Sequence, residues 1–162
     1  MKQLMRLMGY LGPYKRSMAV AVLLLLIETC FALVIPVIMA DIIDIGVEQR
    51  NVSVIMSKGI QMGICAVLAL VTGLLYARFA AQASYGLGAR IREAQYEKVQ
   101  DYSFSNLNHF DTSSLVTRMT TDVTVIQNSI NGGLRPMVRG PVMLIMGIGL
   151  SIWMNARLAV VF

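Results

Sequence analysis

Charge is scarce in this sequence. Lysine, arginine, aspartate and glutamate make up 14% of its residues, against 56% apolar ones, a balance outside the range of ordinary soluble domains. Two cysteines, Cys30 and Cys65, form no CxxC pair, and His109 is the single histidine. Neither a disulfide framework nor a metal site is supported. No G-x-x-x-x-G-K-[ST] occurs, so nothing here cradles nucleotide phosphates as a P-loop does. Gly86-Leu87-Gly88-Ala89-Arg90 lacks a third glycine and stands in a helical pattern with no strand before it, which excludes a dinucleotide site. With one histidine in a polar turn, no Ser/His/Asp or Cys/His constellation is available. The chain carries no catalytic site and no cofactor of its own.

The apolar residues are concentrated in long runs. Between Arg16 and Asp41 the only ionisable side chain besides the Cys30 thiol is Glu28, while Lys58 and Arg78 enclose nineteen uncharged residues and Arg139 and Arg157 seventeen. A bilayer core of about 30 Å takes roughly 20 helical residues. The pattern predicts an all-α, multi-pass membrane protein with spans at residues 17–40, 54–82 and 137–154. The first run is too long for the h-region of a cleavable signal, and no small-x-small site follows it. Lys2, Arg6, Lys15 and Arg16 precede the first span, and Arg90, Arg92, Lys98, Arg118, Arg135 and Arg139 follow the second. By the positive-inside rule the N-terminus and the long polar segment are cytoplasmic. The net charge of +5 follows from this asymmetry and is not a nucleic-acid footprint. Residues 1–12, with Leu4, Leu7, Met8 and Leu11 at helical spacing, read as an interfacial helix before Gly12-Pro13.

Glu28 sits near the middle of the first span. An acid there costs on the order of 2.5–3.5 kcal/mol, which about a dozen Leu, Ile, Val and Phe residues outweigh. Its side chain should face protein or water, either as part of a polar or cation-attracting translocation pathway or as a protonated or hydrogen-bonded carboxyl between helices. Pro36 should kink the span or loosen its last turn. Asn51-Val52-Ser53 matches a glycosylation pattern and equally suits an N-cap. Gly59, Gly63, Ala69, Gly73 and Ala77 in the second span, and Gly140, Gly147 and Ser151 in the third, have the small-xxx-small spacing that lets helices approach. The twelve methionines suit a wall that accommodates varied substrates and are equally ordinary apolar filler.

The polar segment 83–135 is predicted to be a helical hairpin. Leu87, Ile91, Val99 and Tyr102 share one arc of its outgoing limb, with Arg92, Glu93 and Asp101 elsewhere. On the return limb Leu115, Met119, Val123, Ile126, Ile130 and Leu134 fall on one stripe of about 100°. Arg118 and Asp122 are placed for an i,i+4 ion pair. Each limb should reach about 30–38 Å beyond the membrane at 1.5 Å per residue. Gly132-Gly133 and Pro136 predict a break or kink where the chain re-enters the bilayer, although neighbours can sustain a helix there. Asn155-Ala156-Arg157 reads as a tight outer turn before residues 157–162 begin a fourth span, so the sequence reads as a fragment or a piece of a larger assembly.

The whole order resembles one family. A first span ending in Pro36-Val37-Ile38-Met39-Ala40-Asp41-Ile42-Ile43-Asp44, a long second helix with Arg90-Ile91-Arg92, and the run Phe110-Asp111-Thr112-Ser113-Ser114-Leu115-Val116-Thr117-Arg118-Met119-Thr120-Thr121-Asp122-Val123 look like the start of an ABC exporter transmembrane domain. The likeness leans toward bacterial multidrug half-transporters that work as heterodimers. Ser113-Ser114 departs from the Gly-Glu or Gly-Asp that many members carry before the leucine. The resemblance implies an incomplete six-helix membrane domain without a nucleotide-binding domain. It implies a coupling helix at Phe110, Asp111, Thr112, Ser113, Ser114, Leu115, Val116 and Thr117 that docks on nucleotide-binding domains. It also implies a second half-transporter, ATP and Mg for the full-length protein, and a hydrophobic small-molecule, lipid or peptide substrate. From a different class, a non-transporting helical membrane protein, a truncated remnant or regulatory scaffold, fits the same residues.

Overall fold

The computed structural model describes residues 9–48, 50–102 and 112–159, with the side chains of 112 and 153–159 excepted. Among them there is no strand. Helix α1 spans Lys15–Asp41 and is entered through a 3₁₀ turn at Gly12–Tyr14; α2 spans Val52–Gln100; α3, Thr112–Thr117, leads through a π-helical turn at Arg118–Asp122 into α4, Val123–Ala159. The interfacial helix expected at the N-terminus lies largely outside the described residues, as do Phe110, Asp111 and the last residues of the expected fourth span.

Two of these helices are long and apolar enough to cross a membrane. A helix suits that setting because it satisfies every backbone polar group internally. Two threonine hydroxyls within the runs are settled the same way: Thr29 Oγ1 donates to the Leu25 carbonyl at 2.7 Å and Thr72 Oγ1 to the Leu68 carbonyl at 2.8 Å. Pro36 stands inside α1 without ending it, and the helix widens into a π-helical turn at Ile42–Val47. The chain then turns back through Arg50, whose φ of 52° is left-handed. The Asn51 side chain accepts from the Val54 N–H at 3.4 Å, and the Ile55 N–H bonds to the Asn51 carbonyl. Asn51 is therefore the N-cap of α2.

Three expectations fail for stated reasons. No break occurs at Gly132-Gly133 or Pro136, because α4 runs through them with Pro136 and Pro141 inside; glycine permits a bend without compelling one. No turn separates Asn155-Ala156-Arg157 from α4, since these residues include no glycine or proline and Ala and Arg are strong helix formers. Arg118 and Asp122 form no ion pair, because they bound the π-helical turn, where residues four apart no longer stack. That turn has a use. Each four-residue step from Leu115 to Met119 to Val123 overshoots a 3.6-residue turn by about 40°, and the wider turn absorbs part of the overshoot, keeping the three side chains in line.

The chain forms two compact units, one of Met1–Val20 with Arg78–Leu134 and the other of Ala21–Ala77 with Arg135–Phe162. The first is built on the predicted stripes: Leu87, Ile91 and Val123 are buried together with Leu11, and Met18, Ile126 and Ile130 pack against them. In the second, Lys58 Nζ meets Asp41 Oδ2 at 2.6 Å, tying the end of α1 to the start of α2.

Candidate functional site: an ion cluster and a braced hairpin

The second unit holds a cluster of ionisable groups. Glu28, thirteen residues into α1, is only 8% exposed. Its Oε1 accepts from Arg135 Nη2 at 2.5 Å, and Arg139 Nη1 lies 3.8 Å from the same oxygen. Arg135 and Arg139 are four residues apart on α4, hence on one helical face. The Arg135 guanidinium also stands 5.5 Å from the centroid of the Tyr76 ring, within cation–π range. Gly73 stands opposite the carboxyl. A Cβ there would lie in ordinary contact with it at 3.4–3.6 Å, so alanine would fit and a side chain much larger than alanine's would push the carboxylate out. Two buried oxygens of the cluster, Glu28 Oε2 and the Tyr76 hydroxyl, have no hydrogen-bond partner.

Glu28 thus faces protein, and two arginines compete for its carboxylate. Arg135, Arg139 and Tyr76 were the residues that sequence reasoning missed as partners. Arg135 and Arg139 entered only as positive-inside charges at the foot of the third span. The one available signal was their i,i+4 spacing beside a lone intramembrane acid. The other small residues behave differently from Gly73: among the described residues nothing lies within 4 Å of a Cβ at Gly59, Gly63, Gly140 or Gly147.

The first unit holds the hairpin limbs, braced at one node. Ser84, fully buried, donates its hydroxyl to the Gln127 backbone carbonyl at 2.6 Å. Arg92 reaches the Thr124 hydroxyl at 3.1 Å and Gln127 Oε1 at 3.5 Å, so the arginine placed on the solvated face by periodicity in fact crosses to the return limb. Gly88 opens the space for Gln127, whose Oε1 would clash with a Cβ at that position. Below the node the limbs part at a shallow cleft lined by Lys98, Tyr102, Leu115 and Arg118.

At the hairpin tip, Thr112–Thr117 is helical, and Thr117 Oγ1 donates to the Ser113 carbonyl at 2.9 Å. Ser113, Ser114, Val116 and Thr117 are exposed and Leu115 is half-buried. Val116, at 56% exposure, is an apolar side chain left at the surface of a charged limb. Phe110 and Asp111 lie outside the described residues.

Long apolar helices continued by a braced polar hairpin suit a membrane protein. The family model for the ABC transporter transmembrane region matches residues 18–162, and the chain belongs to that family. It is similar to the uncharacterized ABC transporter ATP-binding protein YfiB of Bacillus subtilis, with 34% identity over 93% of this chain and 26% of the relative. An uncharacterized ABC transporter ATP-binding protein of Mycobacterium tuberculosis is 28% identical over 92% of the chain and 26% of its own length. A putative export ATP-binding/permease protein of Rickettsia prowazekii is 25% identical over 98% of the chain and 27% of its own length. The chain therefore spans about a quarter of the length of the curated relatives it matches. Its place is the membrane.

Proposed function

We propose that this chain supplies part of the translocation pathway and the first coupling helix of an ATP-driven exporter. In this reading the N-terminus and the hairpin are cytoplasmic and the spans cross the membrane several times. The tip, Phe110 to Thr117, docks on nucleotide-binding domains that bind ATP and Mg. A second half-transporter, read as forming a heterodimer, completes the pathway. The cargo is a hydrophobic small molecule, lipid or peptide, and Glu28 lies on its route.

One observation carries the reading: an exposed helical stretch, Thr112–Thr117, opening the return limb of a hairpin whose limbs are locked together by Ser84, Arg92 and Gln127. A docking element must present a surface and must not bend when pushed. Buried hydrogen bonds and apolar packing between the limbs resist shear, so displacement of the tip is transmitted along the helix axes and is not absorbed locally. The relatives named as export ATP-binding/permease proteins support the coupling to ATP.

The test is made in the full-length protein. Val116→Asp puts a charge into a contact that would bury it, a change that costs several kcal/mol when unpaired. Transport should fall at least roughly tenfold, since 1.4 kcal/mol is tenfold, with membrane insertion unchanged. A Ser114→Cys variant should react with an impermeant maleimide only in inverted vesicles. Undiminished transport by Val116→Asp, or labelling of Ser114→Cys from the outside, refutes the docking role or the orientation respectively.

A further inference from the structure

We propose that Arg135, Arg139 and Tyr76 form a seat for a phosphate-monoester headgroup carried by an apolar tail, with Glu28 as its built-in counter-charge. The inference rests on the membrane placement proposed above and is independent of coupling to ATP.

Charge points to an anion. The cluster holds two guanidinium groups and one carboxylate, a net charge of +1 beside a carboxylate that is itself buried. An uncompensated charge there is costly, and intramembrane ionisable groups are matched by a partner. Donor capacity points the same way. Each guanidinium offers five N–H donors. Arg135 spends a bond on Glu28, while Arg139 at 3.8 Å is in electrostatic contact and beyond hydrogen-bond distance. Their side chains keep 47% and 35% exposure, so both forks remain open to an incoming anion, and arginine forks match phosphate oxygens in geometry.

Two orphan atoms point to the same ligand. Tyr76 is 5% exposed, its ring lies against Arg135, and its buried hydroxyl lacks a partner. A buried polar group left unpaired in a native structure needs an explanation, and a bound anion is one that also answers the open arginines. Tyr76 can donate to an anionic oxygen. Glu28 Oε2, also buried and unpaired, can only accept when ionised. A phosphate monoester carrying one proton offers both an oxygen anion and an O–H, and satisfies both atoms at once. A carboxylate lacks the O–H, and a phosphodiester such as phosphocholine lacks it too and brings a cation.

The experiment uses the full-length protein in maltoside micelles, without nucleotide, and measures equilibrium retention of dodecyl phosphate against dodecylphosphocholine. The wild type should hold dodecyl phosphate about tenfold more tightly than dodecylphosphocholine, Arg139→Gln should lose roughly tenfold, and Tyr76→Phe roughly threefold. Glu28→Gln takes the cluster from +1 to +2 and should tighten retention; if that variant does not fold, Arg139→Gln and Tyr76→Phe decide the matter. Arg139→Lys, which keeps the charge and loses the fork, should bind between the two. In sealed vesicles, ATP-dependent movement of dodecyl phosphate would mark it as cargo, and retention without movement would mark a resident lipid; either result upholds the seat. Equal retention of the two amphiphiles, or an Arg139→Gln variant that binds as the wild type does, overturns it. An acidic side chain from elsewhere in the full-length protein, already seated on the arginines, would give that negative result. Because no nucleotide is present, failure here leaves the coupling role untouched, and failed coupling leaves this measurement valid.

Discussion

Ser84→Ala is the sharpest probe of the braced hairpin. The serine is fully buried and its hydroxyl donates at 2.6 Å to the main-chain carbonyl of Gln127. Within α4 that carbonyl keeps its own intrahelical partner, so the substitution removes a bond without orphaning the acceptor. The cost is then the net value of a hydrogen bond, about 1 kcal/mol, and not the larger penalty of an unpaired group. Because 1.4 kcal/mol is tenfold, amide exchange across the limbs near residues 84–91 and 123–130 should quicken about fivefold, if those amides exchange by opening of this unit. Ser84→Val removes the same bond and adds bulk at a site with no spare exposure. Overpacking adds about 1–3 kcal/mol, so its exchange should be faster still. The design contains an internal check. Gln127→Ala deletes the side chain that Arg92 reaches but leaves the carbonyl that Ser84 uses. Ser84 and Gln127 substitutions should therefore add nearly independently, whereas Arg92 and Gln127 substitutions should be coupled by a few tenths of a kcal/mol. Unchanged exchange in Ser84→Ala, or strong coupling between Ser84 and Gln127, refutes the brace.

Further outcomes are expected elsewhere. Leu87→Ala, at a 1% exposed site in the core of the first unit, should cost about 2–5 kcal/mol, read as early proteolysis of the hairpin while the spans stay protected. Arg50→Gly relieves the left-handed φ of 52° and should stabilise the turn by up to about 1 kcal/mol, raising the midpoint of thermal unfolding; a lower midpoint would mean that the Arg50 side chain makes the turn. Lys58→Met removes the Lys58–Asp41 pair, whose side chains are 30% and 40% exposed. Its effect should be below about 1 kcal/mol and vanish in high salt. Gly73→Leu should displace the Glu28 carboxyl from Arg135 and, by freeing that guanidinium, tighten the retention of dodecyl phosphate described above, with membrane insertion retained.

The hairpin was legible in large part from periodicity. A helix repeats every 3.6 residues, so the stripes through Leu87 and Ile91 and through Val123, Ile126 and Ile130 announced which sides would meet. The N-cap at Asn51 was legible because capping is local. The misreadings differ in origin. Gly132-Gly133 and Pro136 are local breakers that the surrounding helix overrides, and Asn155-Ala156-Arg157 carries only a weak local signal. Arg92 was placed by the face of its Cα, but its long side chain reaches across to the other limb.

Composition and order were sufficient for the class of protein, because lipid penalises exposed backbone and charge so heavily that twenty apolar residues leave few alternatives to a spanning helix. The same penalty made Glu28 conspicuous. What met Glu28 was decided only in three dimensions. Arg135 is 107 positions away in the chain, and no periodicity links them. Their encounter depends on two helices lying side by side with Gly73 leaving room. Local rules act over a few residues, whereas an ion pair is fixed by distance in space. The helices could therefore be read in sequence, and the cluster only in the fold.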